Sequence, residues 1–435
     1  MGTLPGVFQI LPSSAVSAAP GDPSGEDRRS PFMRLAELLA GIEPGRAPLS
    51  AAVGEPQHAM PAFVGPVLNQ NLPGFGRYPR AEGTPPFRAA AAGWLARRYA
   101  LARPLDADRE VLALNGSREG LFSAAIVARR LTPDEKFGPP PAKGKKGGAA
   151  PARPAMLLPN PFYAAYAAGA EAAGCEAVVM PTTAASGWLP DLDALDPALL
   201  RRTCALYIAS PANPQGAIAS PAYLRRALDL ARQYDFFLFS DECYSEIYLG
   251  AEKPTGLLEV AGTDLSRALS FNSLSKRSSL PGLRAGFCAG DPDFLKAFLA
   301  FRWVAAPQVP EPLQAVAVAA LEDEAHVSAS RALYGAKFDL ADRILGERFG
   351  YRRPGGGFFL WLDVAHLRED GASGGEAAAL RLWRRQGLRT VPGGYLARRD
   401  ATGANPCDDY LRVALVQDDL STCEEVLHRL VAALD

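Results

Sequence analysis

Short apolar runs alternate with stretches of helical periodicity through the first two thirds of the chain. The apolar runs predict buried strands at 111–114, 155–158, 177–180, 205–209, 236–240, 268–271 and 284–289. Apolar positions three and four residues apart predict helices at 31–39, 85–102, 121–131, 164–174 and 221–234. Alternating strands and helices are typical of an α/β fold with a mostly parallel sheet.

The order of predicted elements changes in the last third of the chain. A long helical region at 292–345 is broken by three prolines, and the predicted elements after it no longer alternate regularly. They are strands at 357–362, 388–391 and 410–416 and helices at 375–386 and 420–434. This order predicts a second, smaller α+β domain.

Two segments lack both patterns. Residues 1–30 are rich in Ala, Pro, Ser and Gly, which predicts a flexible N-terminal arm. Residues 133–154 combine prolines, glycines and lysines, which predicts a flexible surface insertion within the sheet domain.

Composition narrows the class of protein. With 435 residues the chain is long enough for two domains, and 48% hydrophobic with 21% charged residues is ordinary for a globular protein. A net charge of −1 argues against a general nucleic-acid binder. No apolar run approaches the roughly 20 residues that span a bilayer, and no basic segment precedes an N-terminal apolar stretch.

The cysteines and histidines give no sign of a metal centre. The six cysteines contain no C-x-x-C pair, and the four histidines are dispersed. Scattered cysteines of this kind are typical of thiols in a reducing compartment. We therefore expect a cytoplasmic enzyme without a bound metal.

A lysine follows the predicted strand at 268–271. Ser273, Ser275 and Lys276 come first, and Arg284 follows eight residues after the lysine (284 − 276). Two neighbouring cations are costly unless an anion binds between them or the lysine becomes a neutral imine. A pyridoxal-phosphate (PLP) site meets both conditions, with Lys276 as the imine lysine; an exposed basic loop is the alternative.

Other polar residues lie where predicted strands end. Gly116 and Ser117 separate a strand from a helix, which is the usual position of an anion site. Asp241 comes directly off an apolar strand, where an unpaired carboxylate is expensive. Tyr163 follows another strand end, and Tyr78 lies in an irregular loop; both tyrosines could equally be packing residues.

Taken in order, these features resemble the class I/II aminotransferases of PLP fold type I. The spacings Asp-x-x-Tyr at 241–244 and Ser-x-Ser-Lys at 273–276, with Arg284 eight residues on, are specific in combination. The resemblance runs from about residue 31 to the end of the chain. It implies a mostly parallel large domain at 55–305 and a small domain made of 31–54 and 306–435.

The resemblance also implies roles for individual residues. Lys276 would be the imine lysine that moves a proton, and Asp241 would pair with the pyridine nitrogen of PLP. Asn213 and Tyr244 would bind the ring's phenolate oxygen, and Tyr163 would stack on the ring. The phosphate would be held by the backbone of Gly116, Ser117 and Arg118 and by Ser273, Ser275 and Arg284.

The remaining roles concern the substrate and a second subunit. Arg412 would bind the substrate α-carboxylate, with Gly54 contributing its N–H and Asn213 also close to the substrate. Tyr78 matches a tyrosine that reaches the phosphate of the neighbouring subunit, which implies a homodimer with shared sites. The partners would be an amino acid and a keto acid, not a nucleic acid or a membrane.

The motif at 273–291 and Pro-Phe-x-Arg-Leu at 31–35 look like the N-succinyl-L,L-diaminopimelate aminotransferases of lysine biosynthesis. Their long substrate requires further cations, for which Arg34, Arg77, Arg80 and Arg277 are available. An aromatic or broad-specificity aminotransferase is the alternative, and a β-eliminating lyase on the same fold is a further one. A PLP-dependent transcription regulator would need a DNA-binding module, for which residues 1–30 are too short.

Overall fold

The structure is a computed structural model that describes residues 29–138, 152–400 and 402–435. The predicted arm at 1–30 lies almost wholly outside the described residues, as does most of the predicted insertion. The strands are β1 (Leu49–Ser50), β2 (Val111–Leu114), β3 (Ala155–Asn160), β4 (Glu176–Pro181), β5 (Thr203–Ala209), β6 (Phe237–Asp241), β7 (Ala268–Ser273), β8 (Gly286–Gly290), β9 (Phe359–Asp363), β10 (Leu388–Arg389), β11 (Val391–Pro392) and β12 (Tyr410–Ala414).

Helices surround these strands. They are α1 (Pro31–Leu38), α2 (Val64–Asn71), α3 (Pro85–Tyr99), α4 (Ser117–Leu131), α5 (Ala164–Ala172), α6 (Pro197–Arg201), α7 (Pro221–Gln233), α8 (Leu257–Ala261), α9 (Leu274–Arg277), α10 (Pro292–Ala305), α11 (Glu311–Glu322), α12 (Ala325–Leu345), α13 (Gly374–Gln386) and α14 (Leu420–Leu434). In the described part of the chain, no helix is long and apolar enough to cross a membrane.

The large domain is built on a seven-stranded sheet in the order β2-β8-β7-β6-β5-β3-β4. β8 runs antiparallel to both of its neighbours, and the pairs among β7, β6, β5, β3 and β4 are parallel. The predicted mostly parallel α/β sheet is therefore confirmed.

Both faces of this sheet are covered, which explains why its strands are almost wholly apolar. Alternate residues of a strand point to opposite faces, so Leu206 packs into one core cluster and Tyr207 into the other. One cluster includes residues of α3, α7, α8 and α11, and the other includes residues of α4, α5 and α10. Burial on both faces removes polar alternation from the strands.

The smaller domain has two sheets and a separate core. β11, β12 and β9 form an antiparallel sheet in that order, and β1 pairs with β10 in parallel, with Leu49 opposite Leu388. Its core includes residues of α12, α13 and α14. The pairing of β1 with β10 joins the segment before the large sheet to the C-terminal region.

The predicted boundary at residue 305 does not match the packing of α11. Val316, Ala317, Ala320 and Leu321 of this helix are buried in the large domain's core, where α11 packs against α2 and α3. α11 therefore packs with the seven-stranded sheet although it follows residue 305. The sequence shows that one face of a helix is apolar, but it does not show which core that face will pack against.

Two further boundaries differ from the prediction. α4 begins at Ser117 instead of residue 121, because Gly116 has φ +82° and turns the chain directly from β2 into the helix. The predicted insertion starts later than residue 133, since Phe137 is buried and its carbonyl accepts a hydrogen bond from the Ala152 N–H at 2.8 Å. Residues 139–151 lie outside the described residues.

Candidate active site

The register of the large sheet brings the predicted site residues to one edge. Leu114, Gly286 and Ser273 lie opposite one another on β2, β8 and β7. Asp241 ends β6 opposite Phe271 of β7. The segments after β2, β6 and β7 therefore leave the sheet at the same edge, where open α/β sheets bind ligands.

The start of α4 forms an anion cradle with Arg284. Gly116 is the N-cap of α4 and has no side chain to satisfy the free N–H groups of the first turn. A Cβ at Gly116 would collide with the guanidinium of Arg284, which also donates to the Asn115 carbonyl at 3.4 Å. Arg284 makes no ion pair with an acid among the described residues, so its charge is available to a bound anion.

The two predicted serines lie beside the lysine. Ser273 caps α9, and its Oγ accepts a hydrogen bond from the Ser275 N–H at 3.2 Å. The two hydroxyl oxygens are 3.1 Å apart. Since Gly286 is opposite Ser273 and close to the Ser117 N–H, both serines lie next to the anion cradle.

Lys276 projects from α9 toward the small domain. Its Nζ donates a hydrogen bond to the carbonyl oxygen of Gly54 and lies 5.4 Å from the ring centre of Phe358. Burial lowers the pKa of Lys276 to about 8. A lysine with this pKa can both release and accept a proton near neutral pH.

Asp241 is held by two donors. The Tyr166 hydroxyl donates to Oδ2 at 2.5 Å, and the Cys243 N–H donates to Oδ1 at 3.1 Å. Burial raises the pKa of Asp241, because these two hydrogen bonds only partly offset the loss of hydration. A buried carboxylate without a cation is suited to bind a protonated ring nitrogen.

Aromatic residues complete the surroundings of the lysine. The Tyr163 hydroxyl accepts a hydrogen bond from Arg118 Nε at 2.5 Å, and its ring meets Tyr166 edge-on at 5.7 Å. Tyr244 lies 5.3 Å from Phe358 between ring centres. Burial raises the pKa of Tyr244 well above its ordinary value, so its hydroxyl stays protonated and can donate.

Arg412 is buried and has no carboxylate partner among the described residues. It is 5% exposed, and Nη2 donates to the Ala52 carbonyl at 2.9 Å, while Nε has no hydrogen-bond partner among the described residues. The guanidinium lies 4.6 Å above the ring of Phe359. Burial lowers the pKa of Arg412 to about 10, which shows how poorly its charge is compensated.

Asn213 and Tyr78 stand apart from these contacts. The buried Oδ1 of Asn213 has no hydrogen-bond partner in the part of the chain that the structure describes. Tyr78 is 97% exposed and does not join the site of its own chain. An exposed tyrosine at this position is compatible with a contact to a second subunit.

Most of the predicted extra cations have other partners. Arg277 is buried and forms an ion pair with Glu324, and Arg34 lies 3.8 Å above the ring of Tyr395. Arg80 approaches Glu82 at 3.9 Å, and Arg77 is exposed. Among the described residues, the hydrogen bond of the Lys276 side chain goes to Gly54, and the guanidinium of its neighbour Arg277 is directed to Glu324 and the Ala320 carbonyl.

Sequence reasoning missed Tyr166, Cys243 and Phe358. Tyr166 lies one helical turn beyond Tyr163, and this spacing places both on one face of α5. Cys243 follows Asp241 by two residues, which is close enough for a backbone contact to the carboxylate. For Phe358, at the start of a C-terminal strand, the sequence has no signal that links it to Lys276.

Comparison with known proteins identifies this arrangement. The family model "Aminotransferase class I and II" matches residues 50–430. The chain belongs to the class I and II aminotransferase family. It is 32% identical to the LL-diaminopimelate aminotransferase of Desulforudis audaxviator (strain MP104C) over 339 residues, which is 77% of this chain and 80% of that protein. It is 34% identical over 318 residues to the 4-dedimethylamino-4-oxo-anhydrotetracycline transaminase OxyQ of Streptomyces rimosus, covering 72% and 78%.

Solved aminotransferase structures have the same fold. An aminotransferase from Neisseria meningitidis aligns with a TM-score of 0.82 and 36% identity, over 94% of this chain and 98% of that one. A probable N-succinyldiaminopimelate aminotransferase from Thermus thermophilus aligns with a TM-score of 0.76 over 93% and 100%. At 24% identity, the second likeness shows the fold alone.

Membership of this aminotransferase family makes PLP the cofactor, and the site residues fit it. The side-chain-free N-cap at Gly116 beside Arg284 suits a phosphate. Burial raises the pKa of Asp241, and this carboxylate forms no ion pair among the described residues, which suits a protonated ring nitrogen. The partnerless amide oxygen of Asn213 and the half-buried Lys276 lie at the same edge of the sheet. The enzyme is thus a transaminase whose substrates are amino acids and keto acids.

Proposed function

We propose that this aminotransferase acts in lysine biosynthesis and transfers an amino group between glutamate and the keto form of N-succinyl-L,L-diaminopimelate. Two observations support a diaminopimelate-type substrate. Residues 273–291 and 31–35 resemble the succinyl-specific enzymes, and the Desulforudis relative is named for LL-diaminopimelate. The observation that carries the amino-acid site itself is the buried guanidinium of Arg412, which has no acidic partner in the part of the chain that the structure describes.

Arg412 supplies what an α-carboxylate requires. A guanidinium offers two parallel N–H groups to a carboxylate, and this geometry is not available to a lysine. Because Arg412 has no acidic partner among the described residues, a bound carboxylate would compensate a charge that is already buried. Gly54 is in the same segment as Ala52, whose carbonyl orients Arg412, and would offer its N–H to the same carboxylate.

Lys276 and Asp241 would act on two different protons, that of the substrate Cα and that of the cofactor's ring nitrogen. PLP would supply an electron-accepting ring that stabilises negative charge developing at the substrate Cα. Asp241 would keep the ring nitrogen protonated, and its hydrogen bonds from Tyr166 and the Cys243 N–H fix the carboxylate in place. Lys276, with a pKa of about 8, would move the proton between the substrate Cα and the C4′ carbon of the cofactor.

The remaining side chains would bind and orient. Tyr163 is held in place by Arg118 and would stack against the ring, while Asn213 and the protonated Tyr244 would bind the phenolate oxygen. The phosphate would lie at the start of α4. Its ligands there would be the backbone of Gly116, Ser117 and Arg118, the hydroxyls of Ser273 and Ser275, and Arg284.

The active form would be a homodimer in the cytoplasm, with Tyr78 of each chain reaching the phosphate of its partner. Tyr78 is exposed, and nearby Phe75 and Leu72 are also exposed apolar residues. All six cysteines are free and buried, which suits a reducing compartment. Mixing the Tyr78→Ala chain with the Lys276→Ala chain tests the shared site: heterodimers regain activity only if these residues come from different subunits.

A half-reaction panel tests the substrate. The PLP-loaded enzyme is mixed separately with glutamate, N-succinyl-L,L-diaminopimelate, LL-diaminopimelate and phenylalanine, and the cofactor absorption is followed. Conversion by glutamate and the succinylated compound is the expected result. Conversion by glutamate without the succinylated compound would contradict the proposed substrate.

Free LL-diaminopimelate is a second candidate, favoured by the name of the Desulforudis relative. It differs from the succinylated compound in keeping a charged distal ammonium. If LL-diaminopimelate converts the enzyme and the succinylated compound does not, this second candidate replaces the first.

A further inference from the structure

A lysine of the small domain is buried and forms no ion pair with an acid of the described residues. Lys337 of α12 is 1% exposed, and its Nζ contacts His58 Nε2 at 2.7 Å and donates to the Gln417 carbonyl. It forms no ion pair with an acid in the described ranges. Burial lowers the pKa of Lys337 to about 8. Burying an ammonium with only neutral acceptors is costly, and a methionine could fill the same space without that cost.

His58 connects this lysine to the segment that precedes it. Its other ring nitrogen, Nδ1, lies 3.1 Å from Ser330 Oγ, and the ring is 8% exposed. The Gln57 N–H donates to the Val416 carbonyl at 3.2 Å. His58, Lys337 and Gln417 therefore hold the end of the 51–58 segment against the last strand and α12.

The other end of this segment lies in the active site. The carbonyl of Ala51 accepts from the Ala414 N–H at 2.8 Å, that of Ala52 from Arg412, and that of Gly54 from Lys276. The segment thus contacts both cations proposed to handle the substrate, and Lys337 holds it four residues beyond Gly54.

Packed rings provide a second connection. The His58 ring lies 4.4 Å from that of Tyr334, and Tyr334 stacks on Phe358 at 5.5 Å. Phe358 in turn contacts Lys276. A displacement of His58 would therefore reach Lys276 through Tyr334 and Phe358 as well as through the backbone.

We propose that Lys337 and His58 are positioning residues that set the substrate-carboxylate segment at 52–54 for Arg412 and Lys276. The inference rests on the proposed carboxylate role of Arg412. Lys337 touches neither substrate nor cofactor in this arrangement, and its effect passes through His58 and the segment. Ordering the segment before the substrate arrives lowers the free-energy cost of binding.

Lys337→Met tests the proposal, with Lys296→Met as the matched control because Lys296 is exposed on α10 of the large domain. For the PLP-loaded Lys337→Met enzyme we expect KM for glutamate to rise about 3- to 30-fold, with kcat changed by less than about twofold. Amide hydrogen exchange at 52–58 should be faster than in the control. The melting temperature should be equal or higher, which excludes loss of folding as the cause.

Three results would overturn the proposal: an unchanged KM, unchanged exchange at 52–58, or a fall in kcat together with the melting temperature. His58→Gln keeps an acceptor for Lys337 and should recover most of the affinity that His58→Ala loses. Arg412→Lys, measured in the same series, distinguishes failure of the positioning role of Lys337 from failure of the carboxylate role of Arg412. If Arg412→Lys raises KM about 10- to 100-fold, as loss of a charged hydrogen bond implies, and Lys337→Met does not, only the positioning role fails. If Arg412→Lys has no effect, the proposed carboxylate site fails.

Discussion

The guanidinium of Arg284 occupies the space that a Cβ at Gly116 would need. Gly116 also has φ +82° and ψ 154°, a conformation that is open almost solely to glycine. These two residues come from different elements, the start of α4 and the turn before β8. Their close approach places a cation directly beside the free N–H groups at the start of α4.

Gly116→Ala should therefore weaken PLP binding. The substituted residue would be strained by about 1–3 kcal/mol and would also displace Arg284. We expect the dissociation constant for PLP, measured by absorbance titration, to rise at least about tenfold. Gly250→Ala is the control, since nothing lies within 4 Å of its Cβ position. Wild-type affinity in Gly116→Ala would show that this cradle does not hold the phosphate.

Asp241→Asn should bind PLP but lose about 100- to 1,000-fold in kcat, because the ring nitrogen would lose its charged partner. Tyr166→Phe removes one hydrogen bond from the same carboxylate and should cost about fivefold. Steady-state kinetics on both variants shows which substitution lowers kcat more. A larger loss from Tyr166→Phe than from Asp241→Asn would contradict the assignment of Asp241 to the ring nitrogen.

Lys276 should destabilise the cofactor-free protein in a pH-dependent way. Its pKa is about 8 when folded and 10.5 in the absence of burial, so the unfolded chain holds the proton more strongly between these values. Wild type therefore gains stability relative to Lys276→Ala as pH rises from about 8 to 10.5. Across this range the stability difference between the two proteins should shift by about 3 kcal/mol, since about 2.5 pKa units at about 1.4 kcal/mol each are involved, and Lys276→Ala is favoured at the low-pH end. Urea unfolding of both proteins at pH 7 and pH 10 measures the difference between their free energies of unfolding. The same difference at both pH values would contradict the prediction.

The large domain could be predicted closely from the sequence, and the small domain less well. β2 matches its predicted residues because burial on both faces leaves an uninterrupted apolar run. β10 and β11 were predicted as one strand, but Thr390 separates two short pairings with different partners, β1 and β12. α2 was not predicted, since Gly65 and Pro66 in its first turn disfavour a helix; in the structure it packs against α11.

In the active site, too, the sequence indicates residues with a local signal and misses those that only the fold brings together. Asp241 and Gly116 were found because a polar residue or glycine at the end of an apolar strand is conspicuous. Tyr166 lies inside an alanine-rich helix, and its role depends on the distance between α5 and β6. His58 and Lys337 are 279 residues apart in the chain, so only the folded structure brings them together.

Hydrogen exchange at the substrate Cα tests the central claim, that Lys276 moves this proton. PLP-loaded enzyme is incubated with glutamate in D₂O, and loss of the α-proton signal is followed by NMR. The wild type and Lys296→Ala should produce α-deuterated glutamate, whereas Lys276→Ala should show no exchange above the enzyme-free background. Exchange by Lys276→Ala at the wild-type rate would contradict the account, because another group would then be moving the proton.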